Sequence, residues 1–473
     1  MVHVIHHRQH HVTAPEDRVP VSQKIGFGIG ALVPVIAVNA VGGLTQLFLN
    51  VGLKVNPVLV GIVMMLPRLW DGITDPVVGN LSDNTRSRWG RRLPYVFAGA
   101  IITGILYTSL WFTPRDWGQV ATLAYFLGMS LLFYTAVTVY AVPQQSLGVE
   151  MTNDYHERTR IFSFSAFFIS LGGIVLPWFY WLANRSIFVD EVEGMKWVGT
   201  AVGLGLMLCG IACALICKEG KREQAMQQEK TRFWKSFTTT LQNRAFVWLI
   251  AVIVLVSIGF NLVAGFGSYV TIYYIYGGDK TTASSLMGVI GTVWAVTSIL
   301  GILPMNWLSK RIGKRNTVML FVAIMGIGNL TKIVCYNPEH PYWVLLPIVM
   351  LSAGMLVMYT LGGAMMADIC DEEELETGKR REGMYSAAYG WWLKLGIAVA
   401  VLVAGVLLQS TGFDAELAVQ SERTMFLVRA WEIGLPSALC FISLILLRKC
   451  PLSEARAYEV KQLLAERKRQ VEA

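Results

Sequence analysis

The chain has few charged residues. Asp, Glu, Lys and Arg make up 15% of its 473 residues, whereas hydrophobic residues make up 54%. Soluble domains carry about a quarter charged residues, so this composition excludes a soluble globular protein of this length. It predicts instead an all-α polytopic membrane protein with many spans.

Motifs for covalent or nucleotide chemistry are absent as well. The sequence has no phosphate-binding glycine loop and no nucleophile elbow, and its seven cysteines form no CxxC pair. We therefore expect no enzyme activity, no metal, no cofactor and no nucleic-acid partner. Cys209, Cys213 and Cys217 share one face of an apolar segment, where packing is the expected role.

The first 23 residues are polar and do not resemble a cleavable signal peptide. They contain a histidine cluster, which consists of His3, His6, His7, His10 and His11. A metal-binding tail is one interpretation. Because no second group of ligands accompanies the cluster, we expect a disordered cytoplasmic tail instead.

From Lys24 onward, twelve apolar segments are long enough to cross a membrane. The predicted spans cover residues 25–50, 57–80, 93–113, 118–146, 160–184, 196–217, 245–276, 283–308, 316–336, 341–367, 383–411 and 424–447.

The longest internal loop divides these spans into two sets of six. It covers residues 218–244 and separates an N-terminal half, 24–217, from a C-terminal half, 245–447. The basic turn after span eight weakly repeats the turn after span two, which suggests a parallel repeat around a central cavity. The remaining residues, 448–473, are predicted to be a cytoplasmic tail with a surface helix.

The distribution of basic residues among the loops predicts the orientation of the chain in the membrane. Loops on one side of the predicted membrane hold 20 Lys and Arg residues, and loops on the other side hold 6. The positive-inside rule places the first side, and with it both termini, in the cytoplasm.

Three charged residues lie inside the second span. Arg68, Asp71 and Asp75 are spaced i, i+3 and i+7, so they share one helical face. Charges at membrane depth are costly and usually mark an ion or solute path. Static salt bridges are the alternative interpretation, which we favour less because charges inside a span are expensive to keep for packing alone.

The second span and its turn resemble a known family. The pattern Arg68-x-x-Asp71-x-x-x-Asp75-Pro76-x-x-Gly79, followed by Thr85-Arg-Ser-Arg-Trp-Gly-Arg91, is similar to that of the glycoside–pentoside–hexuronide:cation symporters of the major facilitator superfamily. Lys24-Ile-Gly-Phe-Gly28, Pro143 and Trp392-Leu-Lys394-Leu-Gly396 extend the resemblance over nearly the whole chain. It implies twelve transmembrane helices in two six-helix halves.

The resemblance also implies functional roles. Asp71 and Asp75 correspond to the acids that bind the family's coupling cation, Na⁺ or H⁺, and Lys394 to the lysine beside them. Arg68 joins Lys394 as a candidate coupling residue. Two carboxylates one turn apart repel in a low dielectric, so one of them tends to hold a proton or a cation.

Some positions depart from the family pattern. Ala141 stands where the family usually has Asn or Asp, so we expect weak Na⁺ stimulation and coupling to H⁺. Val35 and Ala166 align with an acid and an arginine that contact galactosides in the family, so a galactoside is not expected.

Candidate contacts to a polar solute are neutral hydrogen-bonding and aromatic side chains. They are Asn39, Tyr140, Gln144, Gln145, Trp391 and Trp392. The polar members suit hydroxyl-rich ligands, although hydrogen bonding between helices is an equally common use. One of the two tryptophans is expected to face the cavity and the other the lipid. Lys332 either snorkels or pairs locally.

The basic turn after span two is a candidate cytoplasmic gate. Its members are Asp83, Arg86, Arg88, Arg91 and Arg92, and they are expected to close on Glu150, Asp154 or Glu157. Simple topology charges are the alternative. In the second half, Asp368 and Asp371 to Glu374 are expected to close on Lys310, Arg311, Lys314 and Arg315.

These features predict a cation-coupled symporter of a sugar, glycoside or uronide-like solute that works by alternating access. The expected location is a bacterial inner membrane, the expected partners are a small polar solute and membrane lipid, and the expected state is a monomer. A lysolipid or lipid transporter of the same superfamily, a non-transporting receptor and a membrane-embedded enzyme are the alternatives.

Overall fold

The computed structural model describes residues 18–152, 154–219, 242–378, 382–449 and 454–472. Within these ranges it contains helices and no β-strand. Twelve helices are long and apolar enough to cross a membrane, which confirms the predicted fold class. The histidine cluster, most of the 218–244 loop and residues 379–381 lie outside the described residues.

The first six spans run from Val21 to Ile216. They are α1 (Val21–Gln46), α2 (Pro57–Asn84), α3 (Leu93–Trp111), α4 (Gln119–Glu150), α5 (Tyr155–Val175) and α6 (Glu191–Ile216). A π-helical segment, Leu47–Gly52, prolongs α1, and a short helix, Trp178–Ala183, follows α5.

The second six spans run from Arg244 to Lys449. They are α7 (Arg244–Tyr269), α8 (Lys280–Leu300), α9 (Lys314–Cys335), α10 (Leu345–Thr377), α11 (Glu382–Ser410) and α12 (Glu422–Lys449). A π-helical segment, Val270–Ile275, prolongs α7, the short helix Ile302–Ile312 follows α8, and a 3₁₀ turn, Pro341–Val344, precedes α10. The predicted surface helix is α13 (Glu454–Glu472).

Two predicted boundaries were wrong. The segment 283–308 is broken at Gly301, because Pro304 has no N–H to bond the carbonyl of Leu300. The tenth span extends from the predicted residue 367 to Thr377 and ends at Gly378, whose φ of +70° is the left-handed cap that favours glycine.

The same helix pairs pack in both halves. In the first half α3 packs on α4 and α6, α1 on α5 and α6, and α2 on α4; in the second half α9 packs on α10 and α12, α7 on α11 and α12, and α8 on α10. The halves meet through α2 with α11 and through α8 with α5 and the short helix after it. This repetition is what a parallel repeat produces.

Because the number of spans is even, α1 begins and α12 ends on the same side, which we call the terminal face. The other side is the opposite face. There, Arg115 donates to both carboxylate oxygens of Asp190 at 2.6 and 2.7 Å, and this hydrogen bonding lowers the pKa of Asp190 to about 2.

Glycines let α3 and α6 approach to backbone contact. A Cβ at Gly104 would lie 2.6 Å from the carbonyl oxygen of Gly203, and a Cβ at Gly199 would lie 2.1 Å from Cδ1 of Trp111. The Trp111 ring is fully buried. In lipid there is no hydrophobic driving force between helices. Small residues stabilise such crossings because they let the two backbones pack closely.

This packing predicts that Gly199→Ala destabilises the protein. The added methyl group overlaps the buried Trp111 ring, and overpacking of this kind costs about 1–3 kcal/mol. Thermal unfolding in detergent should therefore show a lower midpoint for the variant than for the native chain.

Gly205 on the same helix supplies the matched control, because a Cβ there meets nothing within 4 Å. Gly205→Ala should unfold at or above the native midpoint, since alanine favours the helix over glycine. Equal midpoints for the two variants would contradict the packing argument.

Candidate functional site

Helices α2 and α11 meet in direct backbone contact at one end of their interface. A Cβ at Gly405 would lie 2.5 Å from the carbonyl oxygen of Pro57, and a Cβ at Gly61 would lie 3.2 Å from that of Val401. The two glycines therefore fix the distance between the halves. Further along the same interface, this contact brings Asp75 of α2 against Lys394 of α11.

Asp75 and Lys394 form an ion pair that joins the two halves. The Lys394 ammonium donates to Oδ2 of Asp75, and the Thr138 hydroxyl of α4 donates to Oδ1 at 3.0 Å. The side chains of Asp75 and Lys394 are 37% and 39% exposed, so the protein does not fully enclose the pair.

Asp71 lies one turn before Asp75 and is buried at 9% exposure. Within the described residues its carboxylate makes no ion pair within 4 Å. Lys394 therefore pairs with Asp75 and leaves the carboxylate of Asp71 available to a cation. The carboxylates, with the hydroxyls of Thr138 and Thr74 3.4 Å apart beside them, are hard oxygen ligands that suit Na⁺, and either carboxylate suits H⁺.

A cavity of about 620 Å³ lies between the halves, on the opposite-face side of this ion pair. Its polar wall residues include Asn39, Gln46, Arg68, Ser130, Tyr134, Asn261, Ser268, Asn329, Lys332 and Glu432. Its apolar wall residues include Met64, Phe126, Phe260, Met287, Trp294 and Met325. Its volume lies in the range of small-molecule pockets, about 300–1,000 Å³.

Contacts between the halves close the cavity toward the opposite face. The Tyr269 hydroxyl donates to Asn50 Oδ1 at 2.7 Å, and the Trp178 indole N–H donates to the Thr292 hydroxyl at 2.9 Å. These two bonds connect the N-terminal half to the C-terminal half on the opposite-face side of the cavity.

An ion pair strengthens this closure. Lys280 of α8 donates to Glu191 of α6 at 2.5 Å, and the Tyr180 hydroxyl donates to the other carboxylate oxygen of Glu191 at 2.9 Å. Three contacts therefore hold the halves together on this face. They are Tyr269 with Asn50, Trp178 with Thr292 and Lys280 with Glu191.

On the terminal face, the predicted gate residues pair within the N-terminal half. Arg91 and Arg92 donate to Glu150 at 2.8 and 2.7 Å, and Arg92 also donates to Asp83 at 2.7 Å. Arg86 and Arg88 are exposed. Glu150 is thus one of the predicted acids that the basic turn contacts, and whether the turn gates the protein stays a prediction.

Glu157, a predicted gate acid, binds the start of the chain instead. Its carboxylate accepts from Lys24 at 2.5 Å and from the backbone N–H of Val19 at 3.0 Å. The equivalent turn of the second half pairs as expected, because Lys314 donates to Asp368 at 2.5 Å.

The basic turn is held by an acid that sequence reasoning missed. Glu219, just after α6, accepts from the backbone N–H groups of Arg91, Arg92 and Leu93 at 2.9, 2.6 and 2.9 Å. Gly90 has a φ of +96°, and a Cβ there would lie 2.4 Å from the Glu219 carboxyl carbon. The glycine thus allows both the turn and the approach of the carboxylate.

The candidate solute contacts divide into groups. Asn39 lines the cavity. Tyr140 is fully buried and donates to the Gly30 carbonyl at 2.9 Å, and Gln144 donates to the Phe27 carbonyl at 3.4 Å. Both bonds link α4 to α1, so this geometry favours the packing alternative for these two residues. Gln145 is exposed and lies outside the cavity wall.

The two tryptophans of α11 have different surroundings. Trp391 is 44% exposed and its indole approaches Gly72 of α2. Trp392 packs against the core of the second half, and its indole N–H is buried without a partner in the described residues. Neither belongs to the cavity wall that the structure describes.

The cavity wall also contains a buried charged cluster, and the sequence pointed only to its lysine, Lys332. Lys332 donates to Glu432 at 3.2 Å, and the Tyr336 hydroxyl donates to the same carboxylate oxygen. Lys332 therefore pairs locally, which is one of its two predicted roles. The intramembrane position of Glu432 in the twelfth predicted span was the signal that would have identified it.

Comparison with known proteins gives the family. Residues 26–454 match the sequence profile of the MFS/sugar transport protein family. The chain is 25% identical to an uncharacterised symporter of Synechocystis sp., over 95% of this chain and 98% of that protein.

Two relatives have names that state a cargo. The sodium-dependent lysophosphatidylcholine symporter 1-A of Danio rerio is 23% identical over 93% of this chain and 87% of its own length. The isoprimeverose transporter of Lactiplantibacillus pentosus is 23% identical over 85% of this chain and 82% of its own length.

Solved structures show the same fold. The crystal structure of a D-xylose–proton symporter is similar with a TM-score of 0.68 at 12% identity, covering 92% of this chain and 99% of that one. The matched profile and the relatives confirm the predicted family, and the similarity to solved structures confirms the fold. The chain therefore belongs to the MFS/sugar transport protein family and is a multi-pass membrane symporter of the major facilitator type.

Proposed function

We propose that this symporter couples the transport of a sugar, glycoside or uronide-like solute to Na⁺ or H⁺ by alternating access. The observation that carries the proposal is the ion pair between Asp75 and Lys394. It joins the two halves beside the cavity, so its charge state and the arrangement of the halves depend on each other.

Cation binding competes with Lys394 for the same carboxylate. A Na⁺ ion or proton at Asp71 and Asp75 removes the negative charge that holds the ammonium group, which weakens the contact between α2 and α11 at this level. A ligand shifts a conformational equilibrium only by its different affinity for the two states. The competition supplies that difference.

The cavity supports a polar solute. Asn39, Asn261 and Asn329 offer amide groups that both donate and accept, as sugar hydroxyls require. Trp294 and Phe260 offer aromatic faces in the same wall. The name of the isoprimeverose transporter agrees with this class of cargo.

The closed face sets the direction of access. If the terminal face is cytoplasmic, as the positive-inside rule predicts, the described conformation is closed to the outside. Both termini then lie in the cytoplasm of a bacterial cell whose inner membrane holds the protein.

A lysophospholipid is the second candidate cargo. Aliphatic, methionine and aromatic side chains make up much of the cavity wall, and this surface suits an acyl chain. The sodium-dependent lysophosphatidylcholine symporters among the relatives favour the same cargo.

Counterflow in proteoliposomes tests the proposed solute class. Vesicles loaded with one unlabelled compound should accumulate the same labelled compound when it is a β-glucuronide, a xyloside or a sulfonated sugar, and should not do so with a galactoside. Empty vesicles and vesicles loaded with a different sugar are the controls.

Exchange of lysophosphatidylcholine with no exchange of any sugar in the panel would replace the sugar proposal by the lipid one. Tight binding of a solute without counterflow would support the receptor alternative. The assay at two pH values, with and without Na⁺, identifies the ion. We expect weak Na⁺ stimulation because of Ala141, and strong Na⁺ dependence without a pH effect would contradict that expectation.

Asp75→Asn should abolish concentrative uptake while the protein still folds. The asparagine side chain keeps the shape of Asp75 but removes the negative charge that both Lys394 and the cation bind. The ion gradient can then no longer drive uptake. Uptake driven by an imposed ion gradient, measured with the solute that the counterflow panel identifies, checks this result.

Asp116→Asn is the matched control, because Asp116 is exposed in the loop before α4 and loses the same charge away from the site. That variant should accumulate solute at the native level. Normal accumulation by Asp75→Asn would remove Asp75 from the cation site.

A further inference from the structure

Arg68 lies in the wall of the cavity, one turn before Asp71 on the same helix face. Its guanidinium carbon is 5.2 Å from the centre of the Tyr134 ring, and its Nη2 lies 3.1 Å from where a Cβ of Gly42 would stand. Gly42 of α1 therefore makes room for the guanidinium group between α1, α2 and α4, at the edge of the cavity.

The sequence predicted that Arg68 would join the acids of α2. In the part of the chain that the structure describes, Lys394 occupies Asp75, and no carboxylate lies within ion-pair distance of Arg68. Its guanidinium group lies over the Tyr134 ring. A guanidinium group has five N–H donors, and most of these are left for another partner.

The other charges of the described wall cancel. Lys332 and Glu432 form a buried ion pair, so Arg68 is the charged side chain of the described wall that has no ion pair within 4 Å. A net positive charge at membrane depth is expensive. An anion in the cavity would neutralise it.

We infer that Arg68 binds an anionic group of the transported solute, a carboxylate, sulfonate or phosphate. This inference rests on the proposed function. The planar fork of the guanidinium group matches the two oxygens of such anions in bidentate hydrogen bonds. Asn39, which is exposed in the same wall, adds an amide donor.

The same chemistry has two sources. A uronide carries a carboxylate on its sugar ring, and a lysophospholipid carries a phosphate next to its acyl chain. Both present an anionic group to one arginine, so the test uses a charged and a neutral member of each class.

Equilibrium binding to the purified full chain tests the inference without depending on coupling. The sugar pair is methyl β-glucuronide and methyl β-glucoside, and the lipid pair is lysophosphatidic acid and the matching monoacylglycerol. The native protein should bind the charged member of one pair more tightly. Which pair shows the preference identifies the source of the anion.

Arg68→Gln should reduce this preference by about 10- to 100-fold, the loss expected when a hydrogen-bonded charge is removed. Arg68→Lys should keep part of it, because the charge remains and the fork is lost. Arg185→Gln, which removes the same charge at an exposed site beside Trp181 on the opposite face, should keep the native preference.

Equal affinity of the native protein for both members of both pairs would overturn the inference, and this result needs no variant. An unchanged preference in a folded Arg68→Gln protein would overturn it as well. Counterflow of a neutral glycoside would then leave the proposed function standing. Failure of every sugar in counterflow would remove the sugar proposal and leave the lipid pair to decide the role of Arg68.

Discussion

The contact between Asp75 and Lys394 is the interaction on which the working of this protein depends. It crosses the interface between the halves at a level where charges are costly, and it leaves the second acid, Asp71, without an ion pair in the described residues. A cation at the two acids competes with Lys394 for Asp75. This competition ties ion binding to the position of α11.

The surrounding structure keeps this pair in place while leaving it accessible. Gly61 and Gly405 bring α2 and α11 together, and Thr138 orients the carboxylate of Asp75. On the opposite face, Tyr269 and Asn50 help to hold the halves together. The gate pairs described for the terminal face stay within one half, which permits the halves to separate there.

The sequence was sufficient for the architecture and for the residues of the motif. Apolar segments of spanning length predicted twelve helices because lipid requires every backbone group to be bonded within its own segment. The breaks within spans were harder to predict, since Pro304 interrupts α8 only after the helix has nearly crossed the membrane. The family motif singled out Asp75 and Lys394, and the structure brings them together.

Side-chain contacts between helices could not be predicted from the spacing of residues in the sequence. Tyr140 and Gln144 look like solute contacts in sequence, yet they bond the backbone of α1, because nothing in the sequence gives the rotation of α4. Glu219 accepts hydrogen bonds from three backbone N–H groups of the basic turn. Because nearly every residue carries such a group, no residue type in the turn indicated this contact. Arg68 was assigned to the acids by its spacing, and packing against Tyr134 aims it elsewhere.

The central claim is that Lys394 and the coupling cation exchange at Asp75 and that this exchange moves the halves. Pulsed EPR can measure it directly, with spin labels at Arg86→Cys and Lys310→Cys, two exposed positions on the terminal faces of different halves. The native cysteines would first be replaced by alanine. Adding the coupling cation should shift the label distances, and Lys394→Gln should show the cation-bound distribution before any cation is added. A cation response that is the same with and without Lys394 would contradict the account.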